Sequence, residues 1–460
     1  MDTTQQVELK DLINQQTFGR FLFTLVALCF TGIILDGFDI SVMGLVAPAL
    51  RQEWNLSHET LGWILSTALI GQTIGALIGG ILSDRFGRKP VMVASVFCIG
   101  IWTLATGMAD HVPFMIASRF FTGLGLGAII PSTTALVAEY APRRMKALLV
   151  TLTLCGFTVG AAGGGFLSAF MLPAHGWRPI LVIGGVVPVL LGIVLMKALP
   201  ESLSYLLSRG KAKQSVTDIV ERMSRGHSSG FREVIIRQDE VRHKSAVKIV
   251  LASQYRTGTM LLCLADFCVL FLIFLFNSWL PTLVKENGGY SLSQSAIATS
   301  MFQLGGPVGS LIIGWAMDRW RPNAILTLNF MLAAFSVGAI GQVASHYAII
   351  CSLTFVAGFC LGGGSVGLAA FAAEFFPTEA RATGTSWMLG LGRLGAILSA
   401  LTGAAMLTLG WSLSQIFLAL VIPALIVSLI MLALRLPRHL QGTGAAPVVA
   451  SNEARIKSAN

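Results

Sequence analysis

Apolar residues fill the chain in long blocks of roughly 20, separated by short polar connections, and a helix of that length crosses about 30 Å of hydrocarbon. The pattern predicts membrane-spanning helices near 21–47, 59–82, 91–109, 114–137, 147–170 and 179–199. After a polar break it predicts six more, near 258–283, 294–316, 323–343, 347–372, 383–405 and 411–435. The expectation is an all-α integral membrane protein with twelve transmembrane helices. It divides into a tail at 1–20, a six-helix bundle at 21–202, a linker at 203–257, a second six-helix bundle at 258–437 and a tail at 438–460.

Composition agrees: of 460 residues, 54% are hydrophobic and 12% charged, about half the charged share of a soluble domain. The first twenty residues are polar, and the apolar span after them is too long for a signal-peptide core, so no cleaved targeting segment is expected. All seven cysteines (Cys29, Cys98, Cys155, Cys263, Cys268, Cys351 and Cys360) fall inside apolar spans without CxxC spacing. Neither a disulfide framework nor a zinc site is indicated.

A net charge of +10 would suit nucleic acid, but the placement of the charges argues for a membrane instead. With the N-terminus cytoplasmic, the connections after spans 2, 4, 6, 8 and 10 share one side. They hold Arg85, Arg88 and Lys89, then Arg143, Arg144 and Lys146, then the basic linker, then Arg319 and Arg321, then Arg381. The opposite connections offer Arg51, Arg178 and Lys285. This is the positive-inside asymmetry, so both termini are expected in the cytoplasm. The linker itself reads as a solvated tether with surface helices, or else as a site for a regulatory partner.

On either side of the linker the chain repeats. Asp84-Arg85 precedes Asp318-Arg319 by 234 residues, and Gly71, Gly75 and Gly80 match Gly305, Gly309 and Gly314 at the same offset. Glu139-x2-Pro142-x3-Lys146 matches Glu374-x2-Pro377-x3-Arg381 at 235. Two pseudo-symmetric six-helix halves are therefore expected, with a site between them, as in secondary transporters.

These motifs resemble a known family. Gly80-x3-Asp84-Arg85-x-Gly87-Arg88-Lys89 resembles the signature loop of the major facilitator superfamily, and Arg119 ahead of Gly123, Gly125 and Gly127 is similar to its second motif. Within the superfamily, Asp36-Gly37-Phe38-Asp39-x4-Gly44-x3-Pro48 resembles the span 1 signature of the aromatic acid:proton symporters. The resemblance covers essentially the whole chain. It implies the major facilitator fold, a bacterial inner-membrane location, a benzoate-type carboxylate and protons as the transported species, no cofactor, and function as a monomer. It also ties Arg119, Glu139 and their counterparts Glu374 and Arg381 to transport, although structural pairing near helix ends explains them as well. In the signature loop, Asp84 with Arg85 and Arg88 forms a latch that favours one conformation, and Asp318 with Arg319 a second. The second copy lacks the glycine and the lysine.

Charges inside the spans carry the chemistry. Asp36 and Asp39, three apart, lie on one helix face, and each costs roughly 2.5 to 3.5 kcal/mol in mid-span. They must face the bundle interior. Two buried carboxylates cannot both stay charged without a cation or a proton, so the pair is the candidate for proton coupling. Arg393 lies within Gly390-Leu-Gly392-Arg393-Leu-Gly395, which spells GxGxxG but follows no strand, so no dinucleotide site is expected. Its planar fork suits a substrate carboxylate; a structural ion pair is the other reading. Arg119 is the second candidate for substrate contact. Asp266 mirrors Asp36 as a second proton site or as a silent packed residue near the entrance of span 7. Phe267, Phe271, Phe274, Phe276 and Trp279 either line an aromatic slot or face lipid and core.

Glycines at Gly71, Gly75 and Gly79 in span 2, and at Gly156, Gly160 and Gly164 in span 5, predict close helix crossings. All seven histidines fall in connections or tails, and no nucleophile with a base, P-loop lysine or metal cluster is found, so neither ATP-driven transport nor enzymatic chemistry has support. The rival readings are a porter of another organic acid such as muconate, an efflux antiporter and, from a different class, a ligand-sensing membrane receptor.

Overall fold

The computed structural model describes residues 6–8, 13–14, 18–208, 219, 233–235, 246–286, 288–343, 346–377 and 380–434. Twelve helices among them are long and apolar enough to cross a membrane. Spans 1 to 6 are Arg20–Trp54, His58–Phe86, Arg88–Gly107, Val112–Tyr140, Leu148–His175 and Arg178–Ala198. Spans 7 to 12 are Ser253–Glu286, Leu292–Arg319, Pro322–Ile340, Tyr347–Phe375, Thr383–Thr408 and Leu413–Ala433. Several outrun their apolar blocks: span 1 has 35 residues, about 52 Å of helix, well beyond the hydrocarbon thickness. Large apolar side chains such as Phe170, Leu311 and Phe335 stay exposed on the outer surface, as lipid contact requires.

One departure from the helical expectation lies outside the bundle. Gln6–Glu8 pairs in parallel with Glu233–Ile235, so the N-terminal tail and the linker join through a short strand pair where surface helix was expected. The Glu233-Val234-Ile235 stretch carries β-branched residues, which favour extended chain. The short helices Leu203–Ser208 and Ala246–Val250 lie within the linker, as expected; most of 209–245 lies outside the described residues.

The repeat recurs in the packing. A Cβ at Gly71 or Gly75 would strike the span 4 backbone at Phe120 and Leu124, and one at Gly305 or Gly309 would strike the span 10 backbone at Phe355 and Phe359. Spans 2 and 4, and their counterparts 8 and 10, thus meet backbone to backbone. Gly156 and Gly160 do the same for span 5 against span 1 at Phe30 and Ile34.

The two halves meet through spans 1 with 7, 2 with 11 and 5 with 8. The ties sit at the end away from the termini. There Arg51 Nη1 lies 2.5 Å from Glu286 Oε1 and Lys285 Nζ donates to Gln52 Oε1 at 3.0 Å. Gly62 of span 2 packs on Ala400 and Ala404 of span 11. At the end that bears both termini, Gly80 and Gly314 face open space and Asp84 and Asp318 are exposed. The tied face is termed the closed face, and the face with exposed Asp84 and Asp318 the open face.

Candidate functional site

Span 1 sends its two aspartates to different partners. Residues three apart on a helix differ by about 60° around the axis, enough to aim one at spans 3 and 4 and the other at span 2. Asp39, 2% exposed, accepts from Arg119 Nη1 at 3.0 Å and Nη2 at 2.8 Å, and from Thr103 Oγ1 at 2.9 Å. Arg119 is 1% exposed, seven residues into span 4. It had been expected near the opening of that span; the helix begins early enough to carry it two turns deep. This fork-to-fork pair engages both terminal nitrogens of Arg119 inside the first half, so that the guanidinium is held by Asp39.

Asp36 is fully buried and accepts one bond, from Gln72 Nε2 at 3.3 Å on span 2, while its Oδ2 finds no partner among the described residues. The carbonyl of the same Gln72 accepts from Arg393 Nη1 at 3.3 Å, across the boundary between the halves. Arg393 is partly buried and feels the fields of Asp36 and Asp266, yet among the described residues no carboxylate lies within 4.0 Å of its guanidinium. Asp266 also keeps an unpartnered Oδ2, and its carboxylate is seated against Gly392, where a methyl group would collide with it. It lies thirteen residues into span 7, in mid-span and not near the entrance, because the helix begins at Ser253, ahead of the apolar block.

The site therefore joins four elements: Asp36 on span 1, Gln72 on span 2, Asp266 on span 7 and Arg393 on span 11. Gln72 carries no charge and belongs to no motif, so nothing in the sequence singles it out. The same holds for the buried amide pair Gln303 and Asn277 on spans 8 and 7, where Gln303 Nε2 donates to Asn277 Oδ1. Of the span 7 aromatics, Phe276 stacks on Phe302 and Trp279 donates to the Ala400 carbonyl at 3.0 Å, so both belong to the core. Phe267, Phe271 and Phe274 stay partly exposed, the first two stacked 6.5 Å apart.

The signature loop sits at the open end, remote from this cluster. Gly87 has φ +104°, which a side chain rarely adopts, and the Glu201 carboxylate fills the space where its Cβ would stand. Glu201 Oε1 accepts from the Arg88 and Lys89 amides at 2.8 and 3.1 Å, capping span 3. Glu139 accepts from Ser202 Oγ at 2.7 Å and from the Ser204 amide at 2.6 Å, with Arg88 Nη1 3.7 Å away. Loop, span 4 and the start of the linker are tied together within the first half. Asp84 is 3.9 Å from Arg88 and stands exposed, and Arg85 stacks over Phe86. In the second copy Arg319 stacks over Trp315, while Asp318, Glu374 and Arg381 are exposed. Glu201 and Ser202 gave no signal in the sequence, since only folding brings them to the loop.

The family model for the Major Facilitator Superfamily matches residues 29–341 and again 262–451. The chain belongs to the Major Facilitator Superfamily. It is a membrane transporter and not an enzyme. This facilitator is 42% identical to the 4-hydroxybenzoate transporter PcaK of Pseudomonas putida over 95% of this chain and 98% of that one. It is 37% identical to the gallate transporter of Pseudomonas putida, covering 93% and 95%. Its fold matches the inward open conformation of the xylose transporter XylE from E. coli with a TM-score of 0.67 at 19% identity, over 90% of this chain and 96% of that one. The superfamily resemblance with its aromatic-acid branch, expected from the motifs, and the twelve-span fold, expected from the apolar blocks, are borne out.

Proposed function

We propose that this facilitator imports an aromatic carboxylate together with protons by alternating access between its two halves, 21–202 and 258–437, as a single copy in a bacterial inner membrane with both termini cytoplasmic. The observation that carries the reading is Arg393, a guanidinium at the junction of the halves with no ion-pair partner among the described residues, beside two buried carboxylates, each with one oxygen unpartnered among those residues. The similar hydroxybenzoate and gallate transporters supply the substrate class: a carboxylate on an aromatic ring.

Charge bookkeeping supports coupling. Inside the spans, three buried carboxylates (Asp36, Asp39 and Asp266) meet one buried guanidinium, Arg119, and the partly buried Arg393, which leaves one negative charge in excess. One proton balances it. A substrate carboxylate bidentate on Arg393 brings the negative charge back, so that loading substrate and loading a proton favour each other. Asp36 is the carboxylate placed to take that proton: its Oδ2 is unpartnered and Gln72 links it to Arg393. Asp39, saturated by Arg119, instead holds the first half in register. One proton per monoanion is electroneutral, whereas a second would add roughly 2.3 kcal/mol per 100 mV of membrane potential.

On this reading the face tied by Arg51 and Glu286 is periplasmic and the open face cytoplasmic. The Asp84 and Asp318 loops are latches in their released state, to be re-engaged when the cytoplasmic face closes. Glu139 acts through its hold on Ser202 and Ser204, and Glu374 and Arg381 are its counterparts in the second half. Uptake of labelled benzoate, 4-hydroxybenzoate, gallate and muconate into right-side-out vesicles, with and without a protonophore, tests the proposal. Accumulation of the ring acids that the protonophore abolishes supports it; accumulation indifferent to the protonophore overturns the coupling.

A further inference from the structure

A second pair of cations beside a cavity lies apart from Arg393. At the open face, spans 4 and 5 and the connection between them line a wide-mouthed cavity of about 790 Å³. Its walls include Pro131, Thr134, Ala138 and Thr151, and two cations, Arg143 and Lys146, stand at it. Both cations are exposed, and among the described residues no carboxylate lies within ion-pairing distance of either. The helix Lys146–Leu154 opens beside them with no side-chain cap and no acidic residue in its first turn, an end whose dipole favours an anion. The volume falls within the range of small-molecule sites, and the combination of an apolar wall with a few convergent donors is what such sites use.

The position is informative. Gly127 of span 4 packs on the Gln72 carbonyl, the atom that accepts from Arg393. Pro131, Thr134 and Ala138 follow Gly127 at intervals of four, three and four residues, so they continue one helix face toward the open end. At 1.5 Å per residue that stripe runs about 16 Å. It leads from the central cluster to the two cations.

We propose that this cavity is a second, vestibular site for the transported carboxylate, with Arg143 and Lys146 holding the anion and the span 4 stripe holding its ring. The proposal rests on the aromatic-carboxylate reading above. A released anion pauses here before reaching bulk water, and the same site loads the carrier from the open face. Retention of Arg and Lys for topology alone predicts no ligand binding.

The test uses purified full-length protein in detergent and labelled benzoate. Arg393→Gln removes the central guanidinium; the vestibule then retains saturable binding that is at least five-fold tighter for benzoate than for acetate. Adding Arg143→Gln and Lys146→Gln abolishes that remainder, and Arg143→Lys with Lys146→Arg in its place keeps it within two-fold. No saturable binding in the Arg393→Gln protein, binding that survives the triple substitution, or equal competition by benzoate, acetate and inorganic phosphate each overturns the proposal. Failure of the underlying transport reading shows separately, as wild-type proteoliposomes that exchange no aromatic acid at all.

Discussion

Gln72 links Asp36 to Arg393: its side-chain amide donates to the carboxylate at 3.3 Å and its backbone carbonyl accepts from the guanidinium at 3.3 Å. One residue of span 2 thus touches both a first-half carboxylate and a second-half cation. Gln72→Leu keeps the size and the carbonyl but removes the amide. Uptake in that variant is expected to fall at least ten-fold with normal membrane insertion, and unchanged uptake would show that the amide plays no part.

Arg393 is expected to bind substrate through two parallel hydrogen bonds, which a lysine cannot reproduce. Losing a bond to a charged group costs about 1.5 to 3 kcal/mol, or roughly 10- to 150-fold in affinity. Arg393→Lys should therefore raise the half-saturation concentration for an aromatic acid by that factor. Equal values for Arg393→Lys and wild type would remove Arg393 from the binding site.

Asp39 and Arg119 form a buried, bidentate pair, and breaking such a pair from one side costs about 3 to 5 kcal/mol because the remaining charge is stranded. Asp39→Asn and Arg119→Gln should each lower the unfolding midpoint in detergent. The double substitution should cost less than the sum, by more than about 1 kcal/mol, since each strands the other's partner. Additive losses would mean that the pair does not act as a unit.

Gly392 and Gly390 provide an internal control on span 11. A methyl group at Gly392 would collide with the Asp266 carboxylate, whereas one at Gly390 meets nothing within 4 Å. Gly392→Ala is predicted to reduce transport ten-fold or more and Gly390→Ala to leave it within two-fold, both measured as initial uptake rates. Equal effects would make Asp266 a bystander.

Arg51 and Glu286 tie the closed face, but both are partly exposed, and pairs of that kind are worth only about 0.2 to 1 kcal/mol. Arg51→Ala is expected to shift the balance between closed and open forms by roughly 1.5- to 5-fold, read as faster thiol labelling of a cysteine placed at Gln52. The charge reversal Arg51→Glu with Glu286→Arg should restore the wild-type rate.

Spans and repeat were legible because lipid burial imposes long apolar blocks, and the glycine pairs at 71 and 305 and at 75 and 309 recur wherever two backbones touch. The aspartates and Arg393 stood out for the same reason: charge is rare where it costs most. What stayed hidden depended on three-dimensional partners. Nothing in the span 1 signature shows that Asp39 belongs to Arg119 and Asp36 to Gln72, because a 60° difference in direction decides it. Glu201, more than one hundred residues after Gly87, reaches the signature loop only through the return of span 6.

The most direct measurement is the pH of the medium around de-energised right-side-out vesicles when 4-hydroxybenzoate is added. Wild-type vesicles should alkalinise the medium faster than protein-free ones, and Asp36→Asn should abolish that excess while retaining exchange of labelled substrate across the membrane. Substrate uptake by the wild type with no excess alkalinisation would contradict proton coupling through Asp36.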